Sequence, residues 1–144
     1  MTNGIAAISF AVFLILYLTG NIDNGAVLGG FIPARVGDPE LLAGLAAVPW
    51  WLTPLTCTLI HAGWLHVGFN LLMLGFCGRH VEHVLGKGPT LLLYGVGAYA
   101  ACGAQWLVDP GSTGPMVGAS GAISAVVATY ALLYSQQQVR RIGP

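Results

Sequence analysis

The sequence predicts an all-α, polytopic transmembrane bundle, and three observations carry that prediction. Only 7% of the 144 residues are charged, while 56% are hydrophobic. Soluble domains carry roughly a quarter charged residues, so this chain cannot clothe a water-facing surface. Four apolar runs approach the about 20 residues that a helix needs to cross a bilayer. The remaining chain is turn-rich, and its few charges gather near the ends of the runs. Formal net charge is zero and there is no basic tract, which argues against nucleic acid as a partner.

The first run is "GIAAISFAVFLILYLTG", residues 4–20. It lacks the basic leader and small-x-small cleavage site of a signal peptide, so it reads as a helix. Further spans are expected at roughly 64–85, 89–108 and 117–135. Residues 21–63 are rich in Gly and Pro but end in "ELLAGLAAVPWWLTPLTCTLIHAG". This stretch is too apolar for a solvated loop, and its tryptophans suit a structure lying in the membrane interface. Cys57, Cys77 and Cys102 are odd in number and sit in or beside apolar runs. They read as small buried residues rather than a disulfide framework.

The charges orient the bundle. Arg79 and Lys87 lie between spans two and three, and Arg140 and Arg141 follow span four. The opposite side receives Asp23, Arg35, Asp38, Glu40 and Asp109. An excess of Lys and Arg marks the cytoplasmic side, which places the N-terminus and the 79–87 turn there. His61, His66 and Ser120 then share the outer side.

Two polar stretches interrupt the apolar runs: "HAGWLHVGFN", residues 61–70, and "MVGASGAISA", residues 116–125. Packing alone can explain the second, because Gly118 with Ala122 and Gly121 with Ala125 are small-xxx-small pairs. It is not the G-x-S-x-G elbow of α/β-hydrolases, since Gly121 follows Ser120 directly. Equally, a serine at a helix start beside small residues leaves free N–H groups that can stabilise an oxyanion. His66 and Asn70 are four apart and share a helix face. Polar groups within a bilayer are costly, so they pair across helices or line a cavity. Metal ranks last: His61 and His66 point to different faces, no HExxH pattern occurs, and "RHVEH" at 79–83 falls short of a ligand set.

Taken together, "HAGWLHVGFN", "GRHVEHVLG" and "VGASGAIS" resemble the rhomboid intramembrane serine proteases. His61, His66, Asn70, Gly118, Ser120 and Gly121 fill the family pattern in order, and Glu82 and Gly86 fit its turn after the second helix. The resemblance implies a rhomboid-like bundle with four of six core helices present in residues 1–144, and a large loop partly embedded in the outer leaflet. Ser120 would be the nucleophile, and His66 and Asn70 the oxyanion donors, helped by the Ser120 N–H. His61, Gly118 and Gly121 would be structural, with the small residues of span four letting it approach span two. Substrates would be membrane-anchored proteins, no cofactor or metal is implied, and the plasma membrane is the expected location. A polar cavity lined by His66 and Asn70 should open beside Ser120 on the outer side.

Three departures stand against that pattern. The family's general-base histidine lies on its sixth core helix, and no histidine follows His83 here. The family's Trp-Arg pair in the first loop is broken, Trp51 being followed by Leu52 and Thr53. Ser124 stands where an aromatic residue is usual. The ending "QQQVRRIGP" reads as the start of a cytoplasmic loop, so the expectation is a domain continuing past residue 144, with the base on a downstream helix. The alternative is a catalytically inactive pseudoprotease that binds transmembrane clients. On its own, the 144-residue chain is expected to be inactive.

Overall fold

A computed structural model describes the backbone of residues 1–142 and the side chains through Ser135. Helices stand at all four apolar runs. The first, α1 (Thr2–Leu18), is uninterrupted by Pro and ends where Gly20 turns left-handed. There the N–H groups of Gly20 and Asn21 return to the carbonyls of Tyr17 and Leu16, which satisfies acceptors the helix end would otherwise orphan. Residues 21–63 fold as a chain of short pieces. These are α2 (Ile22–Gly29), α3 (Ala34–Gly37), a 3₁₀ turn (Trp50–Leu52), α4 (Thr53–Thr56) and a second 3₁₀ turn (Cys57–Leu59).

Next comes a rod from Trp64 to Leu85, made of α5 (Trp64–Met73), a π-helical turn (Leu74–Gly78) and α6 (Arg79–Leu85). It meets the preceding piece, Trp50–Leu59, at 90°. Gly86, at φ +87°, breaks the rod in a conformation that side chains resist. Then α7 (Lys87–Val108) starts, with Pro89 in its first turn, where a missing N–H costs nothing. "DPG" at 109–111 stops it, and α8 (Ser120–Ile142) closes the described chain.

The bundle buries several polar residues beside its apolar core and exposes large apolar ones. Thr2, Ser9, Thr53, Thr58, His61, Asn70 and Thr90 are buried, whereas Leu65, Leu92, Leu107 and Val108 are each more than two-thirds exposed. Lipid removes the hydrophobic drive between helices, so close packing of small residues must replace it. By length and apolar character, α7 is the one straight helix among the described residues long enough to cross a membrane; α1 and Ser120–Ser135 are shorter apolar helices.

The small residues of α8 come closest to α7, although Ala122 also shares a buried cluster with Leu74, Cys77 and Val81 of the second span, the neighbour expected from sequence. A Cβ on Gly97 of α7 would lie 2.8 Å from the Ala125 Cβ and 3.1 Å from the Ala122 carbonyl oxygen. A Cβ on Gly121 would collide with Ala101, also on α7. Only Gly118, ahead of the helix, faces α5, where a Cβ would run into the His66 ring. Small-xxx-small spacing signals a close neighbour but does not choose which helix it is.

At the opposite end, Glu82 holds the start of α1. Its carboxylate accepts from the Met1 ammonium at 2.6 Å and from the Thr2 N–H at 2.8 Å. Negative charge at a helix N-terminus is favoured by the helix dipole. Gly78 gives α1 room to approach, since a Cβ there would sit 2.9 Å from Thr2.

Candidate active site

Ser120 is the first residue of α8, and its side chain is exposed. At the start of this helix the Ile123 N–H donates to the Ala119 carbonyl at 2.9 Å. First-turn N–H groups have no partner within the helix, so the Ser120 amide is placed to donate outward. Two residues earlier, Gly118 takes φ +108°. Only glycine adopts this readily, and it lets the chain turn sharply into the helix under the His66 ring.

The loop leading to Ser120 is held by residues 21–63. Phe31 and Met116 exchange a pair of backbone hydrogen bonds at 3.0 and 2.8 Å. Ala34 donates to the Ser112 carbonyl at 3.0 Å, and Gly118 donates to the Cys57 carbonyl at 2.8 Å. Four backbone bonds therefore fix the approach to the serine, and none depends on a distinctive side chain. Motif reading missed this role of the segment.

Arg35 was missed as well, except as a charge. Its guanidinium is buried and donates to the Val48 carbonyl at 3.1 Å, just ahead of the Trp50–Leu52 turn. A buried arginine thus does brace this loop, but it arrives from α3 rather than from the position after Trp51. A lone Arg in an apolar interfacial segment was the available signal.

His66 and Asn70 lie one turn apart on α5, as their spacing predicts. The His66 Nδ1 accepts from the Ala62 N–H at 3.4 Å. A neutral imidazole that accepts at Nδ1 carries its proton on Nε2, and Nε2 is the atom lying against Gly118. In that tautomer His66 presents a donor to the Gly118–Ser120 loop rather than a basic lone pair. Asn70 is buried and spends one amide N–H on the His66 carbonyl at 2.9 Å. Its Nδ2 has a second N–H to offer.

His61 is fully buried beneath this pair, its ring 5.1 Å from that of His66 in an edge-on arrangement. Nδ1 lies 3.4 Å from the Leu59 carbonyl. Burial, reinforced by the neighbouring His66, pushes its pKa down to about 4, so it stays neutral around pH 7. Trp64 anchors the start of α5 to α1, with its ring 5.0 Å from Phe13 and 5.3 Å from Tyr17.

Ser120, His66 and Asn70 line one open groove of about 640 Å³ between α5 and α8. Ser124 also lines it, its hydroxyl turned back to the Ser120 carbonyl at 2.8 Å. The groove is not the polar cavity expected from sequence. Leu65, Phe69, Met73, Ile123, Val127 and Ala128 make most of its wall, so the polar groups are a small cluster at one end of an apolar trough. His80 and His83 lie beyond the π-helical turn, at the far end of the rod, some ~20 Å of helix rise from His66. Among the described residues no group of three His, Cys, Asp or Glu side chains could hold a metal.

Comparison with known proteins agrees with the motifs. The family model for the Rhomboid domain matches residues 49–143. The chain is 33% identical over 130 residues to rhomboid protease GluP of Bacillus subtilis (strain 168), covering 89% of this chain and 23% of that protein. It is 36% identical over 97 residues to the chloroplastic rhomboid-like protein 11 of Arabidopsis thaliana, covering 65% of this chain and 33% of that one. It thus spans a quarter to a third of the length of these relatives. No solved structure matches it significantly. A match over well over half of the chain, on an integral-membrane helical fold, decides the matter: the chain belongs to the rhomboid family.

Proposed function

We propose that this chain carries the nucleophile and the oxyanion site of an intramembrane serine endopeptidase that cuts membrane-anchored proteins. The observation that carries the reading is the placement of His66, Asn70 and Ser120 on one groove, with the His66 Nε2 atom against Gly118. With Nδ1 engaged by Ala62, an Nε2–H faces the loop that bears Ser120. In this mechanism Ser120 Oγ attacks a peptide carbonyl lying in the groove, and a base takes the hydroxyl proton. The developing oxyanion receives hydrogen bonds from His66 Nε2–H, Asn70 Nδ2–H and the Ser120 N–H. Each such donor is worth roughly 10²- to 10³-fold in rate where water is scarce. Collapse then expels the amine and leaves an acyl-enzyme for water to hydrolyse.

A serine hydroxyl needs a base, and the chain's four histidines do not supply one. His66 is committed as a donor, His61 is buried beneath it, and His80 and His83 stand at the other end of the rod. The base is therefore assigned to a histidine on a further helix packed over the apolar trough. In the same reading the four apolar helices cross the plasma membrane, with the N-terminus cytoplasmic and the groove opening outward. A second reading follows from the apolar trough itself: a rhomboid-like pseudoprotease that holds transmembrane clients in the groove without cutting them.

Two measurements on protein taken from its native membrane separate these readings. Intact mass well above 15.0 kDa, together with fluorophosphonate labelling that vanishes in Ser120→Ala, supports the protease. Absent labelling, or labelling equal in the two proteins, removes Ser120 as the nucleophile and favours client binding.

A further inference from the structure

Two of the three cysteines are neighbours in space. Cys57, in the interfacial segment, and Cys102, on α7, are both 2% exposed, with sulfurs 4.0 Å apart. Cys77, in the π-helical turn, has no sulfur neighbour among the described residues. The pair lies at a functional junction, because the Cys57 carbonyl accepts the Gly118 N–H two residues before Ser120. It can also be reached: Cys102 lines an outer groove of about 340 Å³ walled by Trp50, Trp51 and Trp106. We propose that Cys57 and Cys102 form a reversible disulfide that fastens the interfacial segment to α7 beneath the Gly118–Ser120 loop.

A disulfide places its sulfurs about 2.0 Å apart, so side-chain rotation with a small shift of the 3₁₀ turn at Cys57–Leu59 must bring them together. The oxidant is a small disulfide able to enter the tryptophan-walled groove. The Cys102 thiolate attacks one of its sulfurs, forming a mixed disulfide and releasing the first thiol. The Cys57 thiolate then attacks the Cys102 sulfur, forms the Cys57–Cys102 bond and expels the second thiol. The two protein thiols are oxidised, the reagent is reduced to two thiols, and those thiols take up the two protons. The link would tie the segment that holds the serine loop to the helix against which α8 packs. It does not depend on whether Ser120 cuts peptides.

The test uses 2,2′-dipyridyl disulfide on the whole protein in detergent, followed by intact mass and peptide mapping. The expected result is two thiopyridones released for the pair, a net loss of ~2 Da with no pyridyl adduct on either residue, a peptide linking Cys57 to Cys102, and reversal by dithiothreitol. Cys77→Ser and Ser120→Ala should behave the same way at the pair, while Cys57→Ser and Cys102→Ser give no linked peptide. The proposal is overturned if the unsubstituted protein keeps both thiols, retains adducts at Cys57 or Cys102 without a link, or cross-links through Cys77 or between chains. Because Ser120→Ala is oxidised like the parent, failure here is separable from failure of the protease reading.

Discussion

The two faces of α8 contrast sharply. On one, Gly121, Ala122 and Ala125 are pressed against Gly97 and Ala101 of α7, with no room for a methyl group. On the other, Ser120, Ser124, Val127 and Ala128 front an open trough shared with α5. The proposed nucleophile needs a fixed backbone and an unobstructed side chain, and α8 offers both by dividing them between its faces. The clamped face holds α8 in register, while the open face leaves an apolar trough beside Ser120.

Gly118 is where the two regimes meet, and changing it should give the largest effect. Gly118→Ala puts a methyl group into the His66 ring at a φ of +108°. Proteolysis by the membrane-extracted protein should fall at least ~10²-fold, since the ring and the serine loop must part, with helical content by circular dichroism unchanged. Retention of more than half the activity would mean that the His66–Gly118 contact is dispensable. His66→Ala and Asn70→Ala should each lower turnover by roughly 10²-fold while fluorophosphonate labelling of Ser120 persists. If either change leaves turnover intact, that residue is not an oxyanion donor.

Stability should separate the faces in the opposite sense. Gly97→Leu on the clamped side forces the helices apart and should cost about 1–3 kcal/mol or more, read as a lower unfolding midpoint in detergent. Ala128→Leu, on the open side, should stay within ~0.5 kcal/mol yet hinder substrate entry, raising KM. Similar destabilisation by both would mean that the trough is closed.

How much of this was legible in the sequence follows the same division. Ser120, His66 and Asn70 stood out because polar residues are rare inside apolar runs, and the family resemblance grouped them; the structure places all three on one groove. The helices could be read because long apolar stretches have few other solutions in lipid. By contrast, the choice of α7 as the partner of α8 was invisible, since glycine spacing states how close a neighbour comes and not which one it is. The bonds from Phe31, Ala34 and Cys57 to the 112–118 loop were equally hidden, because every residue but proline can make them. The apolar character of the trough follows from Leu65, Phe69 and Met73, which line it beside His66 and Asn70.

The smallest expected effect concerns His61, packed edge-on against His66. Its pKa is held near 4 against an ordinary 6.5, so the unfolded chain takes up a proton at a higher pH than the folded one. Stability from the neutral, buried ring is therefore fully present above about pH 6.5 and is lost as pH falls toward 4. Below that, both states are protonated and the dependence flattens. The unfolding midpoint in detergent should decline across this window in the parent protein and decline less in His61→Gln. Identical slopes would assign the acid sensitivity elsewhere. A shallower slope in the variant would tie it to the ring that supports His66 from below: acid would then loosen the His66 side of the groove, while the α7 face, which has no histidine, would stay clamped.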